Sequence, residues 1–241
     1  MTNPIFVAID TVEIARARAL AEAVGPYVGG VKLGLEFFLA HGIAGTREVA
    51  GDRSLFLDLK LHDIPNTVAG GLRAIAPLCP ALLTIHAAGG AAMMRAAAQT
   101  VAENAERVGG TAPRSRVLGV TVLTSLDEND LSALGQRGPA VDQVRRLAGL
   151  AQESGLDGVV CSPHEVAALR VDCGPDFLLV VPGIRPEGAE TGDQKRVMTP
   201  VAALAAGASR LVIGRPITAA ADPVAAARAL AASLLDTNLG V

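Results

Sequence analysis

The 241 residues carry 21 Lys and Arg against 24 Asp and Glu, a net charge of −3, and half of them are hydrophobic, with a mean hydropathy of +0.39. With no Trp, one Tyr and five Phe, the chain has neither the basic footprint nor the stacking platforms that hold nucleic acid, so nucleic acid is excluded as a partner. Cys79, Cys161 and Cys173 form no CxxC pair, which argues against a disulfide framework or a thiolate zinc site and fits thiols in a reducing cytosol.

The length is close to the ~250 residues typical of a (β/α)8 barrel, and the core must be aliphatic, as buried parallel strands require. No basic region precedes the first apolar run, so the N-terminus does not read as a secretory signal and the protein is expected in the cytoplasm. Residues 74–94 lack Asp, Glu, Lys and Arg over about the length of a membrane helix. Pro77, Pro80, His86, Gly89 and Gly90 divide them, and they read as helix end, strand and helix start.

In chain order, residues 5–10 predict a strand, and Ile14, Leu20 and Val24 sit at helical spacing before Gly25. Residues 28–34 predict a second strand ending near Lys32, followed by a helix through residue 49. Residues 54–63 form the third unit's strand and 66–78 its helix. Strand 82–86 then leads through Gly89 and Gly90 into an Ala-rich helix, 91–107. Strand 116–123 closes in Thr124 and Ser125 before a polar loop and a helix over 140–154. Strand 158–162 precedes helix 163–169, and strand 177–182 precedes a Gly-rich loop, 183–197, and a short helix, 200–206. Strand 210–214 and helix 223–235 complete the chain.

Eight strands alternating with eight helices predict an α/β fold, a single-domain (β/α)8 barrel over 1–241 with its site at the C-terminal strand ends. An open doubly wound sheet is the runner-up, but Asp10-Thr11-Val12 lacks the GxGxxG that usually follows its first strand. In the barrel, Asp10, Lys32, Asp58, Lys60, Ser125, Arg185 and Arg215 fall on one rim. Singly each has a plain role as cap, turn former or solvated charge; their convergence points to a site.

The stretch Leu55-Phe56-Leu57-Asp58-Leu59-Lys60-Leu61-His62-Asp63 is the most informative. A period of two puts Asp58 and Lys60 on one face and Leu57, Leu59 and Leu61 on the other. Asp63 follows where Pro65 turns the chain, and its carboxylate either reaches Lys60 or crosses to another subunit. Flanking carboxylates suit Lys60 to donating a proton better than to acting as a nucleophile. Lys32 at the neighbouring strand end would repel a cation, so no metal is expected. Ile213-Gly214-Arg215 lies where barrels bind phosphate after the eighth strand. The loop with Arg185 and Gln194, pivoting on Gly183, Gly188 and Gly192, reads as a lid.

Together these residues resemble the orotidine 5'-monophosphate decarboxylase family of bacterial type. The resemblance runs through Phe6 to Asp10, Val31-Lys32-Leu33-Gly34, Asp58 to Thr67, Gly119 to Ser125, Val181 to Arg185, Gln194-Lys195-Arg196 and Ile213 to Ile217. The Asp-x-Lys-x-x-Asp pattern alone is shared with related sugar-phosphate decarboxylases; Lys32 and the Asp63-Ile64-Pro65-Asn66-Thr67 extension narrow it. The resemblance implies that Asp10 binds ribose hydroxyls, that Lys32 sits between ribose and Asp58, and that Lys60 protonates C6 as carbon dioxide leaves. It further implies that Asp63 and Thr67 come across a homodimer interface, and that Ser125, with Thr124 beside it, recognises the pyrimidine amide edge. Arg185, Gln194, Gly214 and Arg215 would hold the phosphate, with no cofactor. His41, His62, His86 and His164 have no spacing suited to metal and read as packing or hydrogen-bonding residues. A metal-dependent sugar-phosphate decarboxylase or aldolase of the same superfamily, and a phosphosugar-binding barrel without catalysis, are the rival readings.

Overall fold

The computed structural model describes residues 3–107, 114–136, 138–186 and 197–235. Eight parallel strands, β1 (Ile5–Ile9), β2 (Gly30–Gly34), β3 (Leu55–Leu61), β4 (Leu82–His86), β5 (Arg116–Val120), β6 (Gly158–Val160), β7 (Leu178–Val181) and β8 (Arg210–Ile213), hydrogen-bond in sequence order. Pairing of β1 with β8, Val7 opposite Ile213, closes the barrel. The fold is therefore a (β/α)8 barrel, and the open sheet is set aside.

Between the strands run α1 (Ile14–Val24), α2 (Leu35–Ala50), α3 (Pro65–Ile75), α4 (Gly90–Arg107), α5 (Glu128–Ala133), α6 (Ala140–Glu153), α7 (Val166–Cys173), α8 (Pro200–Ala205), α9 (Arg215–Thr218) and α10 (Pro223–Leu235). Their apolar faces follow helical spacing: α1 buries Ala17, Ala21 and Val24, and α3 buries Val68, Ala69, Leu72 and Ile75.

Strands buried on both faces give two cores. The outward residues, such as Val7, Leu57 and Ile85, join the helices in one continuous apolar layer. The inward residues Phe6, Ala8, Phe56, Leu82, Leu118, Val180 and Val212 fill the barrel itself, with the Phe6 and Phe56 rings edge to face at 6.0 Å. Gly30 makes room for that pair, since a Cβ there would come within 2.5 Å of the Phe6 ring and 2.4 Å of the Ser54 carbonyl oxygen.

The elements depart from the sequence expectations at their ends. The polar loop after β5 contains α5, opened by a reciprocal capping box between Asp127 and Asp130. α7 runs on to Cys173 rather than stopping at residue 169, and α9 begins directly after Gly214. α2 kinks at Gly42, whose φ of 59° and ψ of −154° are non-helical. β5 stops at Val120, so Thr124 and Ser125 stand on a turn beyond the strand.

Candidate active site

The barrel's own alternation builds the site. Continuing by twos from the interior core, six of the strands deliver polar or loop residues to the C-terminal mouth: Asp10 after β1, Lys32 on β2, Asp58 and Lys60 on β3, Thr84 on β4, Pro182 after β7 and Gly214 after β8. All of these except Thr84 line one cavity of about 480 Å³, with Arg185, Arg215, Thr124 and Thr218 also in its wall. That volume suits a small-molecule ligand.

Four charged groups from three adjacent strands form a chain in this cavity. The Lys32 Nζ lies 3.5 Å from Asp10 Oδ1 and 3.5 Å from Asp58 Oδ2, and the Lys60 ammonium donates to the same Asp58 Oδ2 at 2.7 Å. The Asp58 carboxyl is buried; desolvation alone would push its pKa up, but Lys32, Lys60 and the hydroxyl of Thr84 together hold it below the usual carboxylate value. An ionised carboxylate between two ammonium groups is thus locked into one position.

β3 does not deliver Lys60 as a regular strand would. Its pairing with β4 shifts register between Leu57 and Leu61, and Lys60 has a φ of 51°, in the left-handed region that non-glycine residues rarely adopt. The Lys60 N–H leaves the ladder and donates to Thr84 Oγ1 at 2.9 Å, while the Thr84 hydroxyl donates to Asp58 Oδ1 at 2.8 Å. Thr84 is buried. It was absent from the sequence candidates, although a polar residue at an inward position of Leu82-Leu83-Thr84-Ile85-His86 was a readable signal.

At β7 and β8 the charge is of one sign. Arg185 is buried, its guanidinium donates to the Ile184 carbonyl at 2.9 Å, and burial together with Arg215 lowers its pKa. Two cations brought this close at one cavity wall suit a permanently charged anion with several oxygens.

Comparison with known proteins agrees with this geometry. The sequence profile of the orotidine 5'-phosphate decarboxylase / HUMPS family matches residues 3–230. The chain belongs to that family. A protein named orotidine 5'-phosphate decarboxylase from Rhodospirillum rubrum is 54% identical over 241 residues, covering 99% of this chain and 97% of its own. One of the same name from Paramagnetospirillum magneticum is 57% identical over 235 residues, covering 97% and 99%. The crystal structure of orotidine 5'-phosphate decarboxylase from Lactobacillus acidophilus superposes with a TM-score of 0.84 at 38% identity, covering 96% of this chain and 99% of that one.

Set against the residues to which the decarboxylase resemblance gave roles, the structure gathers Asp10, Lys32, Asp58, Lys60, Thr124, Arg185, Gly214 and Arg215 around the cavity. Ser125 is exposed and outside the cavity wall, one residue beyond Thr124. Asp63 and Thr67 are exposed and outside the cavity wall, and Asp63 Oδ1 accepts from the Ile64 N–H at 2.6 Å. Gln194, with Gly188 and Gly192, lies outside the described residues. His62 and His86 pack ring to ring at 5.2 Å behind Lys60, where burial, His62 and Lys60 lower the His86 pKa. His41 stacks on Phe37 at 4.7 Å and bonds the Val12 carbonyl at 2.6 Å. Cys161 lines the cavity, and burial raises its thiol pKa far out of reach of neutral pH. Among the described residues no group of three His, Cys, Asp or Glu side chains is placed to hold a metal ion, and no helix is long and apolar enough to cross a membrane.

Proposed function

We propose that this chain decarboxylates orotidine 5'-monophosphate to UMP and carbon dioxide in de novo pyrimidine synthesis, without metal or cofactor, as one barrel domain over residues 1–241 working in the cytoplasm. The observation that carries the reading is the Asp10–Lys32–Asp58–Lys60 chain in the cavity that Arg185 and Arg215 also line.

The chemistry follows from that placement. When the bond from C6 to the carboxyl group breaks, its electron pair stays on C6, and the pyrimidine has no electron sink at that carbon. The Lys60 ammonium, fixed by Asp58, offers positive charge where this negative charge develops, which is electrostatic stabilisation by a preorganised group. Its proton passes to C6 to give UMP, and Lys60 regains a proton from solvent. Asp58, held ionised, opposes the substrate carboxylate, and departure of neutral carbon dioxide relieves that opposition. Lys32 keeps Asp58 and the ribose-facing Asp10 in register, Thr124 in the cavity wall, with Ser125 beside it on the same turn, meets the pyrimidine amide edge, and Arg185, Gln194, Gly214 and Arg215 hold the phosphate. Binding energy from the phosphate, remote from C6, serves the chemical step.

Asp63 and Thr67 complete the site across a homodimer. In support, both are exposed, and so are the large apolar side chains of Ile64, beside Asp63, and of Leu35 and Leu39, after the neighbouring strand β2, at 66%, 50% and 75%. Purified protein mixed with orotidine 5'-monophosphate is expected to give the absorbance decay of decarboxylation with UMP as product. No decay across the neutral pH range would contradict the reading.

A further inference from the structure

The strained backbone of Lys60 and the carboxylate of Asp58 are held by the same side chain. A closed ring of hydrogen bonds runs from the Lys60 N–H to Thr84 Oγ1 at 2.9 Å, from the Thr84 hydroxyl to Asp58 Oδ1 at 2.8 Å, and back from the Lys60 ammonium to Asp58 Oδ2 at 2.7 Å. Only a group that donates and accepts through one atom can occupy the Thr84 position in this ring. Lys60 and Cys79 are the non-glycine residues with positive φ among those described. At Lys60 the β3–β4 register breaks, so the hydroxyl supplies the acceptor that a regular ladder would have provided. A backbone held off the favoured regions persists where its surroundings over-determine it.

We infer that Thr84 is a positioning residue of this site, fixing the Lys60 backbone and the Asp58 carboxylate as one unit so that the ammonium is aimed at the carbon that loses its carboxyl group. The inference rests on the decarboxylase reading. It goes beyond that reading in assigning the aim of the proton donor to a buried hydroxyl on the neighbouring strand, outside the cavity wall.

Thr84→Val keeps the shape and removes both hydrogen bonds. It is expected to lower kcat about 100-fold, the scale of a misplacement of roughly 1 Å at a reacting group. UMP affinity should stay within about threefold, because the cations at β7 and β8 are untouched. Loss of the donor to Oδ1 raises the Asp58 pKa, so the acid limb of kcat/KM moves to higher pH. Lys32 from β2 and Lys60 from β3 still face Asp58 in the variant, with Asp10 from β1 beyond Lys32 and His86 from β4 beyond Lys60. Thr84→Ser, which keeps the hydroxyl, is expected to recover most of kcat and to return the acid limb. A merely structural threonine would lower thermal stability without moving that limb.

Should Thr84→Val not fold, Thr84→Ala carries the same expectations. Turnover within threefold of native with an unmoved acid limb, or a serine variant no better than valine, overturns the inference. If the native protein leaves orotidine 5'-monophosphate intact, the functional reading fails separately. Thr84 is then judged by the carboxyl 13C titration of Asp58, and an unchanged Asp58 titration in the valine variant rejects its role.

Discussion

The two sides of the cavity mouth use charge in opposite ways. Along β1 to β3, acids and bases alternate in contact, Asp10 with Lys32, Lys32 with Asp58 and Asp58 with Lys60, so the charges nearly cancel. At β7 and β8, Arg185 and Arg215 stand near one another, and burial together with Arg215 lowers the Arg185 pKa. A balanced array has little to gain from an ion that is charged throughout the reaction, but its fixed dipoles act strongly on charge that appears only in the transition state. A wall carrying two arginines does the reverse and holds a permanent anion equally in substrate, transition state and product. The first arrangement should therefore act on kcat and the second on binding.

Removing the proton donor tests this division most severely. Lys60→Ala is expected to lower turnover by about 10⁴-fold or more, as the loss of both a general acid and a preorganised charge requires, while UMP affinity changes little. Mixing it with an Asp63→Ala variant should restore part of the activity through hybrid dimers that hold one intact site. No recovery despite demonstrated subunit exchange rejects the shared site, and near-native turnover of the Lys60 variant rejects the donor role. On the other wall, Arg215→Ala is expected to weaken UMP and raise KM alike, by roughly 10- to 100-fold for a lost charge-assisted pair. A large fall in kcat at saturating substrate, with product affinity kept, would erase the distinction between the two sides.

The difference between the sides also governs what could be read from the chain alone. Strand positions were legible because side chains alternate along a strand, and the inward residues Phe6, Ala8, Asp10 or Phe56, Asp58 needed only counting by twos; Lys60 reaches the same cavity although the β3–β4 register shifts before it. Helix ends were less legible: α5 buries only Leu131 and so shows no periodicity, and its one cue was the Asp127 and Asp130 capping box. Thr84 was legible only as a polar residue at an inward strand position, not in its role. Its two partners come from another strand, so its role arises from a register shift between β3 and β4 that no local pattern encodes.

A finer test separates the two ammonium groups that flank Asp58. Against the upward push of burial, the charge of Lys32 lowers the Asp58 pKa without a hydrogen bond, whereas Lys60 lowers it by charge and by hydrogen bond. A depressed folded-state pKa gives stability that is present above the unfolded value and is lost as pH falls through the folded value. Lys32→Met should therefore move both acid unfolding and the acid limb of kcat/KM to higher pH, with a smaller loss of turnover near neutrality than Lys60→Ala. Coincident profiles for the variant and the native protein would show that Lys32 does not hold Asp58 ionised.

The smallest expected effect is none at all, and it bears on why the array is balanced by lysines. Asp58 is the one buried carboxylate of the chain in the cavity, and both of its oxygens are engaged, Oδ2 by the Lys60 ammonium with Lys32 beside it and Oδ1 by Thr84. A divalent cation seeking several oxygen ligands would have to displace these donors while standing next to two fixed positive charges. Exhaustive dialysis against a chelator should leave turnover unchanged, and added Mg2+ should not raise it. Replacing Lys32 with Glu removes one repelling charge and adds a ligand, so any cation dependence should appear first in that variant; dependence in the native protein would mean that the lysines do not stand in for a metal here.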